Sequence, residues 1–222
     1  PYSSVLPGES ETQLSLAEES GRMMKSLVEN QLTPSKIMTE KAFHNAITIL
    51  NTLGGSTNAF LHLPAIAREF DIELPLDLFQ EISDKTPQTC AIKPNGLRTI
   101  NTIEEAGGIP AVMKNVKSLL NLDCIAVNGD SLADIVNNAD IKDSELIRPI
   151  SAPFSSDGGL RVLKGNLASE GAIVKKSAVS PSMHQFRGPA RVFESEEQAI
   201  YNLFFGKVNP GECVVIRNEG PI

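Results

Sequence analysis

The segment "GGSTN", residues 54–58, places two glycines and three small polar residues between two apolar helical runs. Gly54 can take the left-handed conformation that ends a helix, and Gly55 lets a neighbouring backbone approach closely. Ser56, Thr57 and Asn58 can supply the side-chain oxygens that cap the next helix. The backbone amides at the start of that helix, together with its dipole, can equally hold an anionic group such as a carboxylate. The residues alone leave both interpretations open.

The histidines and two arginines are weaker candidates for acid–base or anion chemistry. His44 lies beside an apolar stripe and His62 within an apolar helical run, which is typical of packing or surface residues. His184 is in a loop, and general acid–base catalysis needs a positioned partner that the sequence does not identify. Arg187 and Arg191 flank a Gly-Pro turn, where they can face a carboxylate together or lie on the surface. No catalytic residue is predicted from these positions.

The three cysteines, Cys90, Cys124 and Cys213, lie far apart in the sequence. Their odd number and wide spacing argue against a disulfide framework and favour reduced thiols in the cytosol. Distant cysteines can meet around a metal, but no CxxC or Cys/His pair supports that possibility, so buried structural thiols are the favoured interpretation. The segment "SSDGGLRVLKGN", residues 155–166, does not match the phosphate loop GxxxxGK(S/T), so no nucleotide site is predicted.

Composition and charge restrict the classes of function. The chain of 222 residues is 41% apolar, which is ordinary for a globular protein with a substantial core. Its formal net charge is -7 and its basic residues are scattered, so the sequence has no run of basic residues of the kind that binds nucleic acid or an anionic membrane. No apolar run approaches the roughly 20 residues of a membrane helix, and the first residues do not have the pattern of a signal peptide. We therefore expect a cytoplasmic protein with a small-molecule or protein partner.

The first half of the chain predicts helices, because apolar residues recur at spacings of three and four. One helix covers residues 14–32 and another covers 40–53, and each needs a partner surface. Pro75 can open a short helix, "TIEE" at 102–105 has the form of a capping box, and a further helix starts at Pro110. The residues expected to face the core are Leu16, Met23, Met24, Leu27 and Val28 in the first helix, and Ile109, Val112, Met113, Val116, Leu119 and Leu120 in the last.

After about residue 122 the pattern changes to short β-rich segments separated by turn residues, which is typical of a compact sheet or barrel. The predicted strands lie in "CIAVNG", "LRVLKGNL", "GAIVKKSAV", "ARVFES" and "CVVIRN". Two helices interrupt them, "SLADIVNNA" and "SEEQAIYNLFFG"; the second has a capping box at Ser195 and Gln198 and a terminating Gly206. We place the domain boundary between residues 115 and 123, with a mainly helical part at 1–119 and a mixed, barrel-like α/β part at 120–222. Both ends of the sequence are expected to continue into a longer protein.

Five segments together resemble one enzyme family. They are "LGGSTNAFLHLPAIARE", "EAGGIPAVM", "GGLRVLKGNLASEGAIVK", "FRGPARVFESEEQA" and "VVIRNEGP". In order and spacing they are similar to the dihydroxy-acid dehydratase and 6-phosphogluconate dehydratase family, over nearly the whole chain. The resemblance implies the helical end of an α/β N-terminal domain, followed by an incomplete swivelling β/β/α barrel domain.

The resemblance also implies a reaction, the removal of water from a 2,3-dihydroxy acid to give a 2-oxo acid. In the family an iron–sulfur cluster and Mg²⁺ neutralise the charges that develop, because hydroxide is a poor leaving group and the proton beside a carboxylate is weakly acidic. The cluster cysteines and several magnesium ligands would precede Pro1, while a glutamate ligand and a serine base would follow Ile222. No catalytic or metal-ligating residue is therefore expected in this chain, which alone should hold neither cofactor and be inactive.

What remains in this chain is the loop Gly54–Asn58, which the resemblance places at the border of the substrate site, and the approach to a metal-binding turn at 217–221. The full-length protein is expected to be a homodimer. Glu219 and Ala59 favour the dihydroxy-acid branch, which serves valine and isoleucine synthesis. A sugar-acid dehydratase acting on 6-phosphogluconate or a pentonate is the alternative within the family. An alternative from another class is a non-catalytic module that binds a ligand or partner.

Overall fold

The computed structural model describes residues 10–93 and 96–220, which fall into two compact units. The first unit ends at Ala178 and the second begins at Val179. Helices and strands occur together, so the coarse prediction of an α/β protein is confirmed. The division by packing is distinct from the predicted domain boundary at residue 119, which stays a prediction.

The first unit contains eight of the described helices and one β-hairpin. The elements are α1 (Glu11–Glu29), α2 (Pro34–Ile37), α3 (Glu40–Leu53), α4 (Ala59–Arg68), α5 (Leu76–Lys85), α6 (Thr102–Glu105), α7 (Gly108–Asn115), α8 (Leu132–Asn138), β1 (Arg161–Gly165) and β2 (Ala168–Val174). Short 3-10 turns follow at Lys117–Leu119 and Lys176–Ala178.

Helix α3 is the central element of the first unit, because residues on nearly all of its sides are buried. Its N-terminus is capped by Thr39, whose Oγ1 accepts from the Ala42 amide at 3.3 Å. It ends as the sequence predicts, with Gly54 in the left-handed conformation at φ 63°. The expected apolar face packs on the core, with Phe43 and Ile47 buried and Leu50 and Leu53 half-buried. Polar residues that the amphipathic pattern assigns to the outside are buried as well: Asn45, Thr48, Asn51 and Thr52.

Two apolar clusters pack around α3, which contributes to both. The Phe79 cluster consists of Phe43, Ile47, Phe60, Ala67, Leu74, Phe79 and Leu160. The Val112 cluster consists of Ile49, Cys90, Ile92, Ile103, Ala106, Ile109, Ala111, Val112, Val116, Leu146 and Ile147. In the first cluster the rings of Phe60 and Phe79 stack with centroids 4.5 Å apart. Burial of α3 on both sides explains why its polar residues are inside the unit.

Three local predictions are wrong. The stripe of α1 is not covered by the described residues, since Met24 is 56% exposed and Val28 71% exposed. "TIEE" is a helix but not a capping box, because its N-cap is Asn101, which makes no side-chain cap bond. "CIAVNG" is no strand: only an isolated bridge joins Ile125 to Ser131, because a tight turn intervenes in which the Gly129 amide bonds the carbonyl of residue 126.

The predicted helix at Pro110 begins two residues earlier, at Gly108, and ends at Asn115. Gly107 and Gly108 both have positive φ, 115° and 74°, so the glycine pair makes the sharp entry into α7. Of its six expected core residues Ile109, Val112 and Val116 are buried and Met113 and Leu120 half-buried, but Leu119 lies beyond the helix and is exposed.

The hairpin β1–β2 is antiparallel and docks on α5. Val162 pairs with Ile173, and the register shifts between Leu163 and Gly165. The Val162 amide donates to Oε1 of Gln80 at 2.8 Å, and Leu160, just before β1, lies in the Phe79 cluster. The hairpin is thereby part of the first unit.

The second unit contains β3 (Ala190–Phe193), α9 (Glu196–Phe204) and β4 (Cys213–Ile216), with β3 and β4 paired in parallel. The predicted cap of α9 is confirmed, since Oγ of Ser195 accepts from the Gln198 amide at 3.3 Å. Gly206 follows the helix at φ 64°, as predicted. Large apolar side chains are exposed in this unit: Phe186, Val192, Ile200, Tyr201, Leu203, Phe204, Phe205 and Ile216.

Truncation of Phe79 tests the assignment of the main core. Phe79 is fully buried against Phe60, so Phe79→Ala should lower the free energy of unfolding by about 3–5 kcal/mol. The control is Leu167→Ala in the hairpin turn, where the side chain is 91% exposed and the change should cost less than about 0.5 kcal/mol. Urea unfolding followed by far-ultraviolet circular dichroism measures both, and equal losses would contradict this packing.

Candidate functional site

The loop Gly54–Asn58 connects α3 to α4, and its polar side chains are on the surface. Gly54 is buried, whereas Ser56 and Asn58 are exposed. Oγ of Ser56 accepts from the Asn58 amide at 3.2 Å, so Ser56 supplies one of the predicted capping oxygens. The same prediction is wrong for Asn58, which is the N-cap of α4 but makes no side-chain cap bond. The Phe60 amide bonds the Thr57 carbonyl at 3.0 Å and closes the first turn.

Two backbone amides of this loop remain available for a ligand. Within the described residues the amides of Ser56 and Thr57 donate to no protein acceptor, while that of Gly55 bonds the Leu50 carbonyl at 2.9 Å. The two free amides directly precede the N-cap of the ten-residue helix α4, whose dipole favours negative charge near its N-terminus. The capping and the anion-binding interpretations are thus compatible, because they use different groups of the loop.

A second glycine pair lies directly against the end of α3. A Cβ on Gly159 would stand 2.7 Å from Cα of Gly54, closer than real Cβ contacts allow. A Cβ on Gly158 would stand 2.3 Å from Oδ1 of Asn51 and 2.5 Å from Oγ of Ser83. The two backbones can meet at this distance only without side chains, and we call this contact the glycine crossing. Sequence reasoning missed it, since the two glycine pairs are about a hundred positions apart and only their shared "GG" pattern hints at a relation.

A cluster of charges anchors the segment that leads into the crossing. Asp157 accepts from Lys176 Nζ at 2.6 Å and from Arg161 Nη2 at 2.6 Å, and Ser155 Oγ donates to it at 2.7 Å. Burial by itself would raise the pKa of Asp157, but the bonds from Lys176, Ser155 and Arg161 together outweigh it and lower the pKa to about 2. Arg161 also bonds Asp84 of α5 at 2.6 Å. The carboxylate is fully engaged, which is typical of a structural anchor.

In the first unit, the side chains of His44 and His62 make no hydrogen bond to the loop among the described residues. His62 and His184 are exposed, and His44 is half-buried with its Nε2 4.0 Å from Glu40, beyond hydrogen-bond range. Arg187 and Arg191 are exposed in the second unit, where the Arg191 guanidinium lies 5.9 Å from the Phe193 ring centroid.

The cysteines do not fit a cluster site. Cys90 is buried in the Val112 cluster, and burial raises the pKa of its thiol to about 12, which disfavours the thiolate that binds metal. Cys124 is half-buried beside Asp123, and Cys213 is exposed, contrary to the expectation of burial. Among the residues that the structure describes, no three His, Cys, Asp or Glu side chains converge as metal ligands. Of the predicted turn at 217–221, the described part shows the Arg217 amide bonded to the Phe193 carbonyl at 2.9 Å, and Pro221 lies outside the described residues.

Known proteins of one enzyme family match this chain along its whole length. The model of the dihydroxy-acid/6-phosphogluconate dehydratase N-terminal region matches residues 1–135, and that of the corresponding C-terminal region matches residues 145–222. A dihydroxy-acid dehydratase of Acetivibrio thermocellus is 47% identical over 100% of the chain, and one of Ignicoccus hospitalis is 44% identical over 100%. The chain spans 40% of the length of both relatives. Within the described residues no helix has the length and apolar character needed to span a membrane.

The charge cluster at Asp157 predicts a pH dependence of stability. Since its pKa is lowered by folding, the cluster contributes above the unfolded pKa of about 3.9 and loses its contribution as the pH falls through about 2. Asp157→Asn should therefore be less stable at pH 7 by about 2 kcal/mol, and the gap from the unaltered chain should close between about pH 5 and pH 2.

The control for this test is Asp71→Asn. Asp71 is exposed and has a φ of 56°, a conformation that asparagine also tolerates, so this variant should show no gap at any pH. Urea unfolding at a series of pH values measures the difference. A gap for Asp157→Asn that stays constant down to pH 2 would contradict the role assigned to this carboxylate.

Proposed function

Because the chain belongs to the dihydroxy-acid/6-phosphogluconate dehydratase family, we propose that it is part of a hydro-lyase that converts 2,3-dihydroxy acids into 2-oxo acids. The observation that carries the proposal is the continuous match to proteins named dihydroxy-acid dehydratase, at 44–47% identity from end to end of the chain. Identity at this level over the whole chain supports the same architecture and the same role within it.

We propose the dihydroxy-acid branch, with a substrate of the kind used in valine and isoleucine synthesis. The similar proteins, which are named dihydroxy-acid dehydratase, support it. Glu219, which favours this branch, also has a structural role here: its Oε1 accepts from the Glu196 amide at 2.6 Å, at the start of α9. The carboxylate thus holds the turn against the helix N-terminus, where negative charge is favoured.

In this proposal the loop Gly54–Asn58 borders the substrate site and the substrate carboxylate bonds its free amides. The donor geometry of a helix start suits a carboxylate, and the exposed Ser56 and Asn58 leave it accessible from solvent. The chain's own residues bind and orient the substrate. The iron–sulfur cluster and Mg²⁺, which would supply Lewis-acid chemistry, are proposed to be held by other parts of the enzyme, and this chain alone is proposed to be inactive.

The second unit is proposed to be part of a swivelling β/β/α barrel. Two parallel strands with one helix cannot bury their apolar side chains by themselves, and parallel sheets are normally covered on both faces. The exposed apolar residues of α9, Phe204 and Tyr201 among them, support further strands or helices packed on this unit. A homodimer in the cytoplasm and the domain limits 1–119 and 120–222 belong to the same proposal.

A chimera tests the proposed activity. The homologous segment of the Acetivibrio thermocellus relative is replaced by this chain, the cofactors are reconstituted, and turnover of 2,3-dihydroxyisovalerate, 6-phosphogluconate and a pentonate is compared. We expect the dihydroxy acid to be preferred by at least tenfold, with the unaltered relative as the control. Turnover of the sugar acids alone would overturn the branch, and a folded, cofactor-loaded chimera with no dehydratase activity would favour a non-catalytic module.

The role of the loop amides is tested in the same chimera by two substitutions of one residue. Thr57→Pro removes the free N–H in the turn that precedes α4, a position where proline is tolerated, whereas the control Thr57→Val keeps the N–H and loses only the hydroxyl. Loss of a hydrogen bond to a charged group should raise KM by roughly tenfold or more for Thr57→Pro with kcat little changed. Equal KM values for the two variants would contradict carboxylate binding by these amides.

A further inference from the structure

Ser83 is a buried hydroxyl that joins two distant parts of the first unit. It lies on α5 with 2% of its surface exposed. Its Oγ donates to the Leu160 carbonyl at 2.6 Å, and its own carbonyl accepts from the Gly158 amide at 2.8 Å. One residue of α5 therefore holds the backbone of residues 158–160 from both of its polar groups.

The segment that Ser83 holds abuts the end of α3. The Gly159 amide approaches the Asn51 carbonyl at 3.5 Å, and the same carbonyl accepts from the Gly54 amide at 3.1 Å. Because a Cβ on Gly159 would stand 2.7 Å from Cα of Gly54, the segment has no room to move toward the loop. The segment 158–160 therefore lies between Ser83, which bonds it on one side, and Gly54, which it contacts on the other.

The side chain of Asn51 marks the same contact as unusual. Asn51 is fully buried, and its Nδ2 donates to the Ile47 carbonyl at 3.0 Å. Its Oδ1 has no hydrogen-bond partner in the described residues and faces Gly158, where a Cβ would stand 2.3 Å away. Buried polar atoms are rarely left without a partner. At the crossing, Oδ1 of Asn51 is therefore packed against the Gly158 backbone without a hydrogen bond.

We propose that Ser83 is a positioning residue for the loop Gly54–Asn58. Through Gly158 and Gly159 it fixes the end of α3, and with it the orientation of the loop amides toward a ligand. The effect on substrate affinity rests on the proposed function, whereas the effect on the loop itself does not. Ser83 touches no substrate in this account and acts only through the crossing.

Removal of one oxygen atom tests the proposal in the 222-residue chain. Ser83→Ala deletes the hydroxyl, and amide hydrogen exchange is followed by nuclear magnetic resonance in α7 and at the hydrogen-bonded amides within residues 54–59, which are those of Gly54, Gly55, Asn58 and Ala59. The control is Thr86→Val, which deletes another buried hydroxyl at the end of the same helix; among the described residues that hydroxyl bonds only the Ile82 carbonyl, at 2.7 Å. We expect exchange at 54–59 to quicken about fivefold or more in Ser83→Ala alone, as the loss of one hydrogen bond implies, with α7 unchanged.

A second pair of variants acts on the crossing from the other side. Gly159→Ala pushes directly on Gly54, while Gly165→Ala, at the end of β1, has no atom within 4 Å of the added methyl. Gly159→Ala should change exchange at the loop and Gly165→Ala should not. If Ser83→Ala and Thr86→Val give the same loop exchange, or if Gly159→Ala leaves the loop unchanged, the proposal is overturned whatever the enzymology shows.

The chimera separates this proposal from the proposed function. There, Ser83→Ala should raise KM for the dihydroxy acid at least threefold with kcat within twofold, and Thr86→Val should leave both unchanged. A packing defect alone would lower the stability of both variants and would not raise KM selectively while leaving kcat unchanged. Faster loop exchange without a change in KM would support the positioning of the loop and overturn its role in substrate binding.

Discussion

The close approach of two backbones, at Gly54 and at Gly159, is the constraint on which the first unit depends. A side chain at Gly159 would clash with Cα of Gly54 and separate the end of α3 from the segment that precedes β1. Leu160 could then not reach the Phe79 cluster, and Ser83 could not bond both sides of this segment. The candidate loop, the apolar core and the hairpin are therefore consequences of one contact that only glycine permits.

This contact also joins the two regions that the family models recognise separately. The model of the N-terminal region ends at residue 135 and that of the C-terminal region begins at residue 145, yet α5 and β1 pack in one unit. The ion pairs Lys164–Asp77 and Arg161–Asp84 follow the same face of α5. The start of the C-terminal region thus completes the core of the N-terminal one, and helps to support the loop proposed to bind substrate.

The sequence predicts local features well where the signal lies within one turn or one helix. The end of α3 at Gly54, the cap at Ser195 and the stop at Gly206 all follow from neighbouring residues. Features set by distant residues were missed. Asn51 and Thr52 are buried because a second cluster covers the polar side of α3, and no periodicity within the helix indicates it. The exposed Met24 and Val28 mark the opposite case, in which an apolar stripe has no partner in the described residues. The crossing depends on two glycine pairs about a hundred positions apart, which only the folded chain brings together.

The most direct measurement is a nuclear Overhauser spectrum of the 222-residue chain. The account predicts a strong cross-peak between the α protons of Gly54 and Gly159, since an added Cβ at Gly159 would stand only 2.7 Å from the other α carbon. The stacked rings of Phe60 and Phe79 supply an internal standard, because their cross-peaks report that the same core is folded. Ring cross-peaks without the glycine cross-peak would contradict the account, since the core would then be formed without the contact on which it is said to depend.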